Sequence, residues 1–145
     1  MKILIKILSV VLIASMINCS KSSSIVNISI AGTWTFTTQT TAGCTNASNN
    51  HIETFVCPAT TNNTCFSVTF NSNGSFTTTS SYVINGSTTT SNGSGTYLIS
   101  GNKITITTGG SAAEADTFVL SGNTLTITTP KDATSGCTTT IAMTK

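Results

Sequence analysis

The segments YLISGNKITITT (97–108) and FVLSGNTLTITT (118–129) are near-copies, each an alternation of apolar and hydroxyl-bearing residues interrupted by Gly-Asn. Gly followed by Asn in a two-residue connection suits the primed turns that join antiparallel strands. With Gly101-Asn102 as the turn, Ile99 faces Ile104 and Tyr97 faces Ile106, whereas Leu98 faces Thr105 and Ser100 faces Lys103. One side of the hairpin is apolar and the other mostly hydroxylic. The second unit follows the same rule: Leu120 pairs with Leu125, Phe118 with Ile127, and Val119 lies opposite Thr126. Threonine serves here because its branched Cβ fits a strand while its hydroxyl tolerates water. The spacing would suit a solenoid, but two copies are too few to stack into one. Repeated hairpins are the reading we take.

The pattern continues upstream. FNSNGSF (70–76) fits a three-residue loop with Gly74 in the left-handed region and Phe70 opposite Phe76. CFSVTF (65–70) puts Phe66, Val68 and Phe70 on that face. If HIETFVC (51–57) pairs with it, Ile52 meets Phe70 and Val56 meets Phe66, and Cys57 falls opposite Cys65. FTTTSSYVI (76–84) places Tyr82 and Ile84 with Phe76, and CTTTIAMTK (137–145) ends the chain as a strand. NGSTTTSNGSG (85–95) reads as a flexible, turn-rich loop, and GGSAAEAD (109–116) holds at most one helical turn. The expectation is an all-β domain: an antiparallel up-and-down meander of eight or nine strands that closes into a small barrel, which also removes exposed sheet edges. A chain of 145 residues allows one such domain with one core.

The N-terminus reads differently. MKILIKILSVVLIASMINC has Lys2 and Lys6, an apolar run from Ile7 to Ile17, and then Cys19. That run is short of the ~20 residues a membrane-spanning helix needs, and suits the hydrophobic region of a secretory signal. Met16-Ile17-Asn18-Cys19 resembles the lipobox of bacterial lipoproteins, in which the cysteine is acylated and becomes the new N-terminus; Ile17 and Asn18 depart from the common Leu-Ala-Gly-Cys form. The resemblance implies a signal peptide over 1–18, lipid attachment at Cys19, and a tether over 19–29 before a domain spanning 30–145. In that family an Asp after the cysteine often marks inner-membrane retention. Ser20 stands there, which implies an outer-membrane lipoprotein facing the periplasm or the cell surface.

Cysteine arithmetic agrees. Five cysteines leave one unpaired in an exported protein, and assigning Cys19 to a lipid leaves Cys44, Cys57, Cys65 and Cys137 for two disulfides. Three pairings are possible. Strand register favours Cys57–Cys65 and elimination then gives Cys44–Cys137, a bond that suits first and last strands meeting antiparallel in a barrel of even strand count. Beyond residue 18, Lys21, Lys103, Lys131 and Lys145 balance Glu53, Glu114, Asp116 and Asp132, and the chain has no Arg. A neutral surface without a basic patch excludes nucleic acid as an expected partner.

IAGTWTF (30–36) carries Gly32-Thr33-Trp34 at the start of the first strand. Together with the Phe-flanked Asn-Gly turn and the Tyr-x-Ile-x-Gly-Asn hairpin, it resembles the short bacterial lipocalin-like lipoproteins over roughly residues 30–129. The arginine that often packs on that family's tryptophan has no counterpart here. The resemblance implies a barrel with one open end, often holding a small apolar ligand; the aromatic contacts expected for it are Trp34, Phe36, Tyr82, Tyr97 and Phe118.

Chemistry is sparse. His51 and Glu53 share a strand face, but their alternation with Ile52, Thr54 and Val56 puts that face in solvent. Glu114 and Asp116 read as a solvated loop. No nucleophile elbow or Cys-x-x-Cys occurs, so no catalysis, cofactor or metal is expected. The apolar set from Trp34 to Met143 suffices to fill an eight-stranded barrel outright, while Thr78 and Ser80 on the inner face leave room near Tyr82 and Tyr97. Two functions follow: a lipid-anchored envelope protein binding a small apolar ligand, or, with a filled barrel, a module that binds or inhibits an envelope protein through the loops NGSTTTSNGSG and TAGCTNASNN (41–50).

Overall fold

The computed structural model describes residues 29–109 and 114–145. The expected signal peptide, the expected lipid attachment at Cys19 and nearly all of the expected tether lie outside the described residues. Within them the chain forms β1 (Gly32–Ala42), β2 (His51–Thr54), β3 (Cys65–Phe70), β4 (Ser75–Ile84), β5 (Ser87–Ser100), β6 (Lys103–Thr108), β7 (Glu114–Ser121), β8 (Thr124–Thr128) and β9 (Thr138–Thr144), with one 3-10 turn at Ala47–Asn49. All neighbours are antiparallel, and β1 pairs with β9 from Thr35↔Thr144 to Ala42↔Thr138, so the sheet closes on itself.

Both Gly-Asn hairpins have the expected registers: Tyr97↔Ile106 and Ile99↔Ile104 in one, Phe118↔Ile127 and Leu120↔Leu125 in the other. Phe70 pairs with Phe76 across a loop in which Gly74 has φ +83°. These registers are set locally, because a short turn with a fixed count of residues leaves one way to align its strands.

Nine strands occupy eight positions. β3 runs along the first half of β1 (Gly32↔Phe70 to Thr35↔Ser67), and β2 runs along its second half (Thr38↔Thr54 to Thr41↔His51) on the same edge and in the same direction. The two are one strand position interrupted by an excursion over 55–64. This corrects the expected β2–β3 ladder: Ile52 faces Thr40 rather than Phe70, and Phe66 pairs with Ser80 rather than Val56. The Cys57–Cys65 disulfide is present, but it staples the excursion instead of joining two paired strands, helped by Val56 N–H donating to the Thr64 carbonyl. Cys44–Cys137 is also present. The parity argument for it survives because β2 and β3 count once.

NGSTTTSNGSG is not a loop. Asn85 (φ +50°) and Gly86 (φ +77°) form a two-residue turn, and the rest belongs to β5, paired with β4 from Ile84↔Ser87 to Ser75↔Thr96. Positive φ at both turn positions is the backbone that Asn-Gly supplies most cheaply. The hairpin runs past the barrel rim, since β3 pairs with β4 only as far as Ser81 and β6 pairs with β5 only from Gly95. Tyr82 and Ile84 share the phase of Phe76, yet they are 38% and 53% exposed because no strand lies behind them.

The buried core, including Ile30, Trp34, Phe70, Phe76, Ile104, Phe118, Leu125 and Met143, lies in the half of the barrel that carries the tight turns 71–74, 101–102 and 122–123. Trp34 Nε1 donates to the Ile30 carbonyl at 2.7 Å, so the residue preceding β1 caps that end. Lys145 Nζ sits 4.4 Å from the Trp34 ring centre and donates to the Ala31 carbonyl at 2.8 Å. The cation on the tryptophan is therefore present, as the last residue and as lysine. Gly32 (φ +125°) makes room for it, since a Cβ there would lie 2.9 Å from the Lys145 side chain.

Candidate functional site

The other half of the barrel is hollow. A cavity of about 510 Å³ opens at the end bearing the loops 43–50 and 129–137. Its floor is the upper side of the packed core, at Val68, Phe70, Phe76, Ile127 and Met143. One wall is aromatic: Phe36 lies 4.4 Å from Phe66 and 5.6 Å, edge-on, from Phe55. Thr78 and Ser80 of β4, the small inward residues that the sequence marks as leaving room, stand beside that wall, with Ser80 directly across from Phe66, and Ile106 and Thr108 of β6 line the cavity farther round the barrel.

A bulge in β1 decides what else faces inward. Phe36 pairs with Met143, but Thr38 already pairs with Ala142, so one extra residue is inserted at Thr37. Because side chains alternate with period two, one inserted residue exchanges inside for outside. Before the bulge the even residues Trp34 and Phe36 point in; beyond it Gln39 does. β2 pairs with β1 beyond the bulge and takes the new phase: Glu53, opposite Gln39, lines the cavity and Phe55 follows it. Ile52 and Val56 are turned out, 70% and 41% exposed. The Glu53 face, expected to meet bulk solvent, thus borders the cavity at its mouth, where the Glu53 side chain is still exposed.

Asp116 is corrected too. It lies in β7 opposite Ile104 rather than in a solvated loop, is 7% exposed, and lines the cavity. Directly opposed residues of an antiparallel pair share a side, and Ile104 is fully buried. The alternation Asp116-x-Phe118-x-Leu120 carries that signal in the sequence. Among the described residues the cavity thus presents the Glu53 and Asp116 carboxyls, the Gln39 amide and the hydroxyls of Thr64, Thr78, Ser80 and Thr108 against an apolar surround, with no Lys or His.

Of the five aromatic contacts expected for a ligand, only Phe36 lines the cavity. Trp34 and Phe118 are buried in the packed half. Tyr97 packs 4.9 Å from Phe70, and its hydroxyl donates to the Asn71 carbonyl at 2.7 Å; burial raises this phenol above its ordinary value. Tyr82 is on the projecting hairpin. Phe55, Glu53, Gln39 and Asp116 were missed. His51 is exposed, with Nδ1 2.9 Å from the Asn49 carbonyl oxygen.

The rim is tied rather than loose. Cys44–Cys137 joins the two long loops, and Thr45 N–H donates to the Ser135 carbonyl at 2.8 Å. Asp132 Oδ1 accepts from the Thr134 and Ser135 amides and from the Ser135 hydroxyl; the Ser135 hydrogen bonds come first among the causes that hold its carboxyl below the usual range. Among the described residues no group of three or more His, Cys, Asp or Glu is placed to hold a metal ion.

No curated protein matches the chain. A family model described as a lipocalin-like domain matches residues 30–127. That stretch includes the Trp34 plug, the composite β2–β3 position and the first seven barrel positions, so the chain belongs to the lipocalin-like domain family.

Proposed function

We propose that this protein is a lipid-anchored, non-catalytic binding protein of the bacterial envelope that holds a small, largely apolar molecule in the open half of its barrel. The observation that carries the reading is the cavity: about 510 Å³, aromatic on one side and floored by packed core, within the ~300–1,000 Å³ typical of small-ligand sites. Family membership supports the absence of catalysis, because lipocalin-like domains are generally binding modules. The lipobox-like Met16-Ile17-Asn18-Cys19 supports the anchor, and Ser20 supports the outer membrane. Ile30 and Lys145 lie at the sealed end, so a tether from Cys19 would join the barrel at the end opposite the mouth.

The test is lipid extraction and mass spectrometry of the full chain purified from a bacterial envelope, compared with Cys19→Ala. A diacylglyceryl mass on Cys19 and a co-purifying small molecule are expected. A chain that is released unacylated refutes the anchor. A cavity that takes up no small molecule from an extract or a hydrophobic library refutes the binding role. The reading as a protein-binding module has lost one of its two loops to β5, but the exposed Tyr82 and Ile84 on the projecting hairpin give it a surface. If Tyr82→Ser/Ile84→Ser removed an envelope partner in cross-linking, that reading would gain.

A further inference from the structure

We infer that the cavity selects a ligand with a cationic or strongly proton-donating head, such as a hydrophobic amine, over a fatty acid of the same apolar body. This rests on the cavity being a binding site and names the class of molecule it takes.

The argument begins with charge. Among the described residues the ionisable side chains that line the cavity are Glu53 and Asp116, and both are acids. Asp116 is 7% exposed, whereas Glu53 stands exposed near the rim. None of the described lysines lines the cavity: Lys131 is in the rim loop 129–137, Lys103 begins β6 at the sealed end, and Lys145 is engaged there with Trp34 and the Ala31 carbonyl. A ligand carboxylate entering the cavity meets no cation among the described lining residues, loses its hydration and approaches the Glu53 carboxylate, each of which disfavours binding. A ligand ammonium meets the reverse. It donates to the Asp116 carboxyl, in a place where water screens little, or to Glu53 nearer the rim, and such charge-assisted hydrogen bonds are about twice as strong as neutral ones.

The walls agree with the charge. Phe36, Phe55 and Phe66 offer ring surfaces beside Glu53, and an alkylammonium gains about 0.5–2 kcal/mol over an aromatic face. Thr78, Ser80 and Gln39 supply acceptor oxygens for the remaining ammonium protons. The bulge at Thr37 is what makes this possible. Without the phase change the residues facing inward from β2 are Ile52 and Thr54, and the mouth loses its carboxylate.

The experiment uses the full chain in lipid nanodiscs, with empty nanodiscs as the control, titrated calorimetrically with 3-phenylpropylamine, 3-phenylpropanol and 3-phenylpropanoate at neutral pH. The three share one body and differ in the charge of the head. The amine is expected to bind at least about tenfold more tightly than either of the others, consistent with one charge-assisted pair in a poorly hydrated site. Glu53→Gln and Asp116→Asn should each shrink the amine-to-alcohol ratio. If Asp116→Asn fails to fold, Glu53→Gln, at an exposed side chain, reads the same ratio. Equal or tighter binding of the alcohol or the carboxylate overturns the inference and leaves the cavity as a binding site. A ratio unchanged by Glu53→Gln overturns it as well. Absence of binding by all three overturns it together with the use of the cavity for ligands of this size.

Discussion

The two halves of this barrel are made from the same strands but behave as different materials. In the sealed half, turns of two to four residues pull the strands together, and Trp34, Ile104, Leu125 and Met143 are at most 1% exposed. In the open half the same strands run, still paired, toward the loops 43–50 and 129–137, β2 replaces β3 beside β1, and a cavity of about 510 Å³ remains. Short turns with a fixed register seal a barrel. Long connections and a bulge let it stay open, and covalent staples then hold the rim: both disulfides lie in the open half. The lesson is a division of labour, with packing energy at one end and cross-links at the other.

The contrast can be broken most directly through the staples. Replacing Cys44 and Cys137 by Ser should lower unfolding free energy by about 4–5 kcal/mol, from a closed loop of 93 residues, whereas Cys57→Ser/Cys65→Ser, with a separation of 8, should cost about 2–3 kcal/mol. Equal losses in denaturant titrations would show that the rim does not depend on the long staple. Next in size, Trp34→Ala should cost about 3–5 kcal/mol and Phe55→Ala, at the half-buried mouth, well under half of that. Should Phe55→Ala prove as costly, the open half is as tightly packed as the sealed one. Lys145→Ala removes the cation from the Trp34 ring and should cost about 0.5–1 kcal/mol, read as a small fall in thermal midpoint without loss of ligand binding.

The smallest effect is the pH response of the rim. Hydrogen bonds depress the Asp132 carboxyl in the folded state, so their contribution is fully present above the unfolded carboxyl value and is lost as pH falls through the lower folded value. Protection of the Thr134 and Ser135 amides against exchange should therefore decline in acid while the β7–β8 amides keep theirs. Simultaneous loss in both regions would mean that the rim has no independent opening.

Residue patterns read well wherever contacts are local. Tyr97↔Ile106 and Phe118↔Ile127 are separated by one turn, and the alternation on each side leaves a single sensible register. The turn at Asn85-Gly86 is as local, but the Ser, Thr and Gly run after it has no apolar residue to mark a face, so the sequence does not show it as a strand. The site was less legible. Glu53 was placed in solvent because Ile52 and Val56 are the more apolar neighbours, yet these are the residues that the fold turns outward.

What the amino-acid string determined by itself is the set of hairpins, the glycine and tryptophan at the start of β1, and an even complement of cysteines once Cys19 is set aside. Tertiary structure alone decided that two strands share one position, that Thr37 is an extra residue, and hence that Glu53 and Phe55 look inward. The reason is range. A hairpin is aligned by residues a few places apart, whereas the phase of β1 beyond its bulge is set by pairing with β9, about a hundred residues away in the chain, where no local preference records which side is the inside.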